Sequence, residues 1–93
     1  MIDNLEYFKV FYHVAKAGSV TGAARELAVS QPAVSQAIRQ LESQLGADLF
    51  YRAAKGVRLT REGQLLFSYV EKGYEQIEQG LEKLLRLQNM EGG

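Results

Sequence analysis

The side chains best suited to chemistry lie between positions 30 and 39, where Ser30, Gln31, Pro32, Ser35, Gln36 and Arg39 gather hydroxyls, carboxamides and a guanidinium. Their spacing puts Pro32, Ser35, Gln36 and Arg39 on one side of a helix and Val34, Ile38, Leu41 and Leu45 on the other. With no base beside the serines, the chemistry on offer is hydrogen bonding and not bond cleavage. Gln and Arg are among the side chains that pair with base edges in the DNA major groove, which at about 12 Å wide admits a helix. Helix N-termini and the hydroxyls of Ser30 and Thr21 offer uncharged contacts to phosphate, which fix register without reading sequence. Farther along, Arg52, Lys55 and Arg58 form a cationic group that can grip phosphates beside such a helix. The same three charges also suit a solvated strand protected against edge-to-edge pairing.

Catalysis finds little support. The chain has no cysteine and a single histidine, His13, among the aromatics of its first segment, so neither a thiolate site nor a metal-ligand set is expected. No glycine-rich phosphate loop and no paired carboxylates accompany it, and both the catalytic and the metal residue sets are expected to be empty. At 93 residues the chain suits one compact module, and its longest apolar run falls far short of the roughly 18 residues of a membrane span. The N-terminal MIDNLEYF lacks the basic and then apolar layout of a signal peptide, which points to the cytoplasm. Eleven basic and eleven acidic side chains cancel, yet their distribution is uneven. From Lys16 to Arg61 seven basic residues face three acidic ones, whereas from Glu62 onward three face six. The middle is cationic and the tail acidic, as expected if the two parts meet different partners.

The elements that must position these groups follow from periodicity and caps. Asp3 with Glu6 resembles a capping box, and Leu5, Phe8, Phe11, Tyr12 and Ala15 recur at helical spacing, predicting a first helix from about Asn4 to Ala17 that ends at Gly18. Ser19 caps a two-turn second helix carrying Ala23, Ala24 and Leu27 inward, and a tight connection through Ala28 and Val29 leads to a third helix. Ser30 is its N-cap, Pro32 sits in its first turn, and Gly46 closes it. Leu49 to Arg52 and Val57 to Leu59 read as two short strands around a turn. Thr60 caps a last helix expected from about Arg61 to Gln88, with Met90 to Gly93 frayed. The fold class is therefore mainly α with a small β-hairpin, a winged helix-turn-helix followed by a long C-terminal helix.

The run from Gly18 to Glu42, followed by Leu45-Gly46, Leu49-Phe50, Arg52, Leu59-Thr60 and Gly63, resembles the N-terminal winged helix-turn-helix domain of LysR-type transcriptional regulators. The likeness covers about Leu5 to Gly63 without a gap. It implies a bacterial regulator that binds promoter DNA as a dimer or tetramer, and it makes this chain a fragment without the C-terminal domain that would bind a small-molecule effector. No cofactor is expected in the fragment itself. By the same resemblance the recognition helix corresponds to Gln31 to Gln40. Gln31, Pro32, Ser35 and Gln36 fall at positions that meet bases or nearby sugar-phosphate, and Arg39 at one that meets phosphate. Many relatives carry arginine where this chain has Gln36, and an amide favours adenine where arginine favours guanine. In the wing, Arg52 matches a typical arginine, whereas Lys55 keeps the charge of another without its bidentate fork.

The last helix carries a second pattern. Phe67, Val70, Tyr74, Ile77, Leu81 and Leu84 alternate spacings of three and four, the seam of a coiled coil, and a domain of this size can hardly cover the stripe beyond Tyr74. In the family the corresponding helix pairs with its counterpart. The expected organisation is a DNA-binding domain over residues 1–60 and a linker and dimerisation helix over 61–93, giving a homodimer on double-stranded promoter DNA, or a tetramer at full length, with no membrane partner. A protein-interaction module built on the last helix is the alternative that the neutral net charge favours.

Overall fold

The computed structural model describes residues 5–92, with the side chains of the last two left aside. Four helices and one hairpin follow in the order α1 (Glu6–Ala17), α2 (Val20–Leu27), α3 (Gln31–Leu45), β1 (Phe50–Arg52), β2 (Val57–Leu59) and α4 (Arg61–Gly92). The Asp3 cap anticipated for α1 lies outside the described residues, and α1 starts at Glu6 behind Leu5, which caps it with no side-chain bond. Serine hydroxyls start the next two helices. Ser19 Oγ accepts from the Gly22 N–H at 3.0 Å and Ser30 Oγ from the Ala33 N–H at 3.2 Å. Gly18 and Gly46 end α1 and α3 in the left-handed conformation.

The α2–α3 turn is closed differently. Ala28 adopts φ 57°, the sole positive φ at a non-glycine among the described residues, while the Val29 N–H reaches back to the Ala24 carbonyl at 3.0 Å. An alanine there costs on the order of 1 kcal/mol relative to glycine. Ala23 and Ala24, both buried, let α2 lie close on α1 and α3, and the core is completed by Phe11, Val14, Val34, Ile38, Leu41 and Leu49. Leu45, expected to face the core with Val34, Ile38 and Leu41, is instead 38% exposed, because the last turn of α3 runs past the edge of the small domain.

The hairpin is antiparallel, with Phe50 opposite Leu59, Tyr51 opposite Arg58 and Arg52 opposite Val57. Phe50, Val57 and Leu59 pack on the core, so the alternation of the pleat leaves Tyr51 and Arg58 on the outer face. Leu49, read as the first residue of β1, precedes the strand and is buried. Its N–H donates to Glu42 Oε2 at 2.7 Å, the Phe50 N–H to the same oxygen at 3.3 Å, and its carbonyl accepts from the Thr60 N–H at 3.0 Å. Glu42 thus ties the hairpin to α3. On the other side the Val57 N–H donates to the Gly18 carbonyl at 3.1 Å, and the approach is so close that a Cβ on Gly56 would lie 2.1 Å from the Gly18 oxygen. A Cβ on Gly63 would lie 2.1 Å from the Leu49 oxygen, which explains why the α4 start requires glycine there.

Thr60 begins α4 as expected, its hydroxyl accepting from the Gly63 N–H at 3.0 Å while donating to the Asp48 carbonyl at 2.6 Å. The helix then continues to Gly92, beyond the Gln88 expected, and Met90 to Gly92 are helical and not frayed; Gly93 lies outside the described residues. Nothing between Leu84 and Met90 is a helix breaker, which is the local reason for the extension. At 1.5 Å per residue a helix of 32 residues spans about 48 Å, matching the 51 Å long axis of the molecule.

Candidate nucleic-acid interface

The two helix starts and the hairpin meet around one groove of about 470 Å³, lined in part by Thr21 from α2, Gln31 and Ser35 from α3 and Arg52 from β1. Local rules put them there. The caps of Ser19 and Ser30 aim the first turns of α2 and α3 at the same side, and the Arg52–Val57 pairing turns Arg52 to the hairpin face that looks toward α3. Ser35, Arg39 and Arg52 also line an adjoining depression of about 240 Å³, in which Glu42 is the acidic member. Pro32, Gln36 and Arg39 are exposed on α3, whereas Val34, Ile38 and Leu41 are buried on the opposite side, as the spacing required. The site therefore presents an amide, hydroxyl and guanidinium surface over a rigid apolar backing.

Not every predicted site residue joins it. Arg58 stands on the outer face of the hairpin beside Tyr51 and lines a separate depression with Ala15 and Gln64. It is turned away from α3 because strand residues alternate, and Arg52 and Arg58 fall on opposite faces in this register. Lys55 sits exposed in the hairpin turn and lines neither depression around α3. Ser30 faces the same end of α3 but its hydroxyl already serves as a cap. Thr21 accepts a hydrogen bond from Gln31 Nε2, a contact between residues ten positions apart that the sequence did not announce. His13 Nδ1 lies 2.7 Å from Glu26 Oε1 and links α1 to α2, a structural use of the lone histidine.

The seam of α4 divides in two. Phe67 and Val70 pack on the core, with the Phe67 ring 6.4 Å from that of Phe11, and Tyr74 stacks on Tyr12 at 4.5 Å. These three residues, half-buried in the single chain, hold α4 to its own domain through α1, helped by Lys16 and Glu71 at 3.9 Å. Burial, then the Glu6 carboxylate, then Tyr12 push the Tyr74 hydroxyl above its ordinary pKa. Ile77, Leu81 and Leu84 lie beyond that contact and remain 60%, 56% and 49% exposed. No helix among the described residues is long and apolar enough to cross a membrane.

Comparison with known proteins adds the family. Residues 5–64 match the model of bacterial regulatory helix-turn-helix proteins of the lysR family. The chain is 36% identical over 77 residues to the HTH-type transcriptional regulator PerR of Escherichia coli (strain K12), covering 83% of this chain and 26% of that protein. It is 43% identical over 84 residues to the RuBisCO operon transcriptional regulator of Allochromatium vinosum, covering 87% of this chain and 28% of that one. Among solved structures it resembles the BenM_DBD/catB site 1 DNA complex, with TM-score 0.80, 30% identity and coverage of 91% and 96% of the two chains. It also resembles full-length BenM, R156H mutant, with TM-score 0.77, 31% identity and coverage of 90% and 28%. The chain thus spans about a quarter of the length of the curated relatives it matches.

Proposed function

Because the chain belongs to the lysR family of bacterial regulatory helix-turn-helix proteins, we propose that it binds double-stranded DNA sequence-specifically as the DNA-binding part of a transcriptional regulator. The observation that carries this reading is the shared groove at the start of α3, where Gln31, Ser35 and Arg52 converge from a helix and a hairpin. A recognition helix in the major groove sets Gln31, Pro32, Ser35 and Gln36 against base edges, while Arg39, Arg52 and the turn residue Lys55 meet phosphates. The work is recognition and not catalysis, and it is done in the cytoplasm, where a bacterial duplex is found.

Dimerisation through α4 belongs to the same reading. Ile77, Leu81 and Leu84 form a stripe that the domain leaves uncovered, and a second α4 supplies a matching surface. Two recognition helices related by a two-fold axis read an inverted repeat whose half-sites are about one helical turn apart or a small multiple of it. In the complete regulator a small-molecule effector is proposed to bind outside these 93 residues, and the full-length chains to form a dimer or a tetramer.

Selection from random duplex DNA, followed by titration of the winning sites at several salt concentrations, tests the proposal. Enriched inverted repeats, with log K falling linearly as log salt rises, are expected. Equal affinity for all duplexes, or no binding, refutes it.

A further inference from the structure

Among the described residues, Thr21 is the groove hydroxyl that bonds another side chain of the reading surface. The helix caps next to it are supplied by Ser19 and Ser30, which take the N–H groups of Gly22 and Ala33. The Thr21 hydroxyl instead accepts from Gln31 Nε2, bridging the first turn of α2 to the first residue of α3 across the helix-turn-helix. Both residues are exposed and both line the groove that opens toward the hairpin. Gln31 is the first residue of α3, between the N-cap Ser30 and Pro32, so its backbone is helical and the free variables at this site are the torsions of its side chain.

Resting on the DNA-binding reading above, we propose that Thr21 is a positioning residue that orients the Gln31 amide and makes it select adenine, and that it is not itself a phosphate contact. A carboxamide has two N–H donors and one carbonyl acceptor. Free to rotate, it can turn both donors toward the two acceptors of guanine, N7 and O6, or offer one donor and the acceptor to adenine N7 and N6. With one N–H held by Thr21, the Gln31 amide keeps a single N–H and its Oε1 for the duplex. That pair matches adenine and leaves one guanine acceptor unanswered. Threonine suits the task because a β-branched side chain in a helix has few χ1 states, so the hydroxyl is a stiff stop. The restraint also acts before DNA arrives, reducing the rotamer freedom that Gln31 loses on binding.

The test pairs Thr21→Val, which keeps the shape and removes the hydroxyl, with Thr21→Ser, which keeps the hydroxyl. In the free protein the Gln31 side-chain amide, followed by NMR relaxation, is expected to be ordered in the parent and in Thr21→Ser but mobile in Thr21→Val. On a panel of single-base operator variants, Gln31→Ala locates the base pair that Gln31 reads. There Thr21→Val is expected to lose roughly fivefold or more of the adenine-over-guanine preference, set against the roughly 5- to 150-fold that a bidentate contact supplies. Its salt slope is expected to match the parent's, and Thr21→Ser to restore the preference. An unchanged preference in Thr21→Val overturns the proposal, as does a slope reduced by about 0.9, which marks a lost phosphate contact. A Gln31 amide equally mobile in parent and Thr21→Val overturns it while DNA binding stands. Failure of the parent to bind any duplex removes the DNA-binding reading and this role together.

Discussion

Glu42 is the residue on which the placement of the wing depends, and its removal is expected to be among the most damaging single changes outside the apolar core. Its Oε2 accepts the Leu49 N–H at 2.7 Å and the Phe50 N–H at 3.3 Å. Leu49 is 1% exposed, so water cannot take over its N–H when the carboxylate is gone. A hydrogen bond to a charged group contributes roughly 1.5–3 kcal/mol net, and the longer second bond less, so Glu42→Ala should destabilise the chain by roughly 2–4 kcal/mol. Glu42→Gln retains one acceptor oxygen and should lose about half of that. For a domain of this size each kcal/mol lowers the melting temperature by roughly 4–8 °C, so the alanine variant should melt roughly 8–30 °C below the parent. Circular dichroism at fixed protein concentration measures the shift, and amide exchange locates it, with protection lost first at Leu49 and Phe50. An alanine variant within about 0.5 kcal/mol of the parent, or one with Leu49 still protected, would refute the account of how the hairpin is held.

Arg39→Ala should weaken binding on all sequences alike, whereas Gln36→Ala should change the preferred base at one position of each half-site, as a panel of operator variants would reveal. In the wing, Arg52→Ala should reduce the slope of log K against log salt by about 0.9, while Arg58→Ala, on the outer face, should leave it unchanged. The pair Ile77→Asp with Leu81→Asp should give a monomer with the head still folded, since both side chains lie beyond the contact of α4 with α1. Its affinity for a full inverted repeat should fall to that for a half-site, and sedimentation equilibrium with full-site and half-site titrations checks both points. Gly63→Ala should destabilise by roughly 1–3 kcal/mol or more, because the new Cβ meets the Leu49 carbonyl and backbone has to move; equal melting of parent and variant counts against that packing.

Much of this architecture was legible in the chain because it rests on short-range rules. Ser19, Ser30 and Thr60 start helices by bonding N–H groups three residues on, Gly18 and Gly46 end them, and the spacing of Val34, Ile38 and Leu41 sets which side of α3 is buried. Each of those outcomes depends on neighbours within one or two turns, and so residue type and position determine it. The order of the elements, a helix-turn-helix with a hairpin behind it, follows from the same signals.

Contacts between distant segments had to come from the tertiary structure. The Glu42 carboxylate under the hairpin, the Thr21 hydroxyl on Gln31 and the Gly63 approach to Leu49 join residues whose separation carries no periodic or capping signal. The split of the α4 seam is of the same kind. Phe67, Val70, Tyr74, Ile77, Leu81 and Leu84 form one unbroken pattern in the chain, since an apolar stripe looks the same whatever covers it. Only the position of α1, with Phe11 and Tyr12 in place, decides that the first three pack in part on their own domain and the last three face outward. Arg52 and Arg58 are likewise two cations of one hairpin by sequence, and the strand register, pinned by Glu42 and Gly56, turns one toward α3 and the other away. A one-residue change of register would exchange the faces of β2 against β1, which is why charge alone could not sort them.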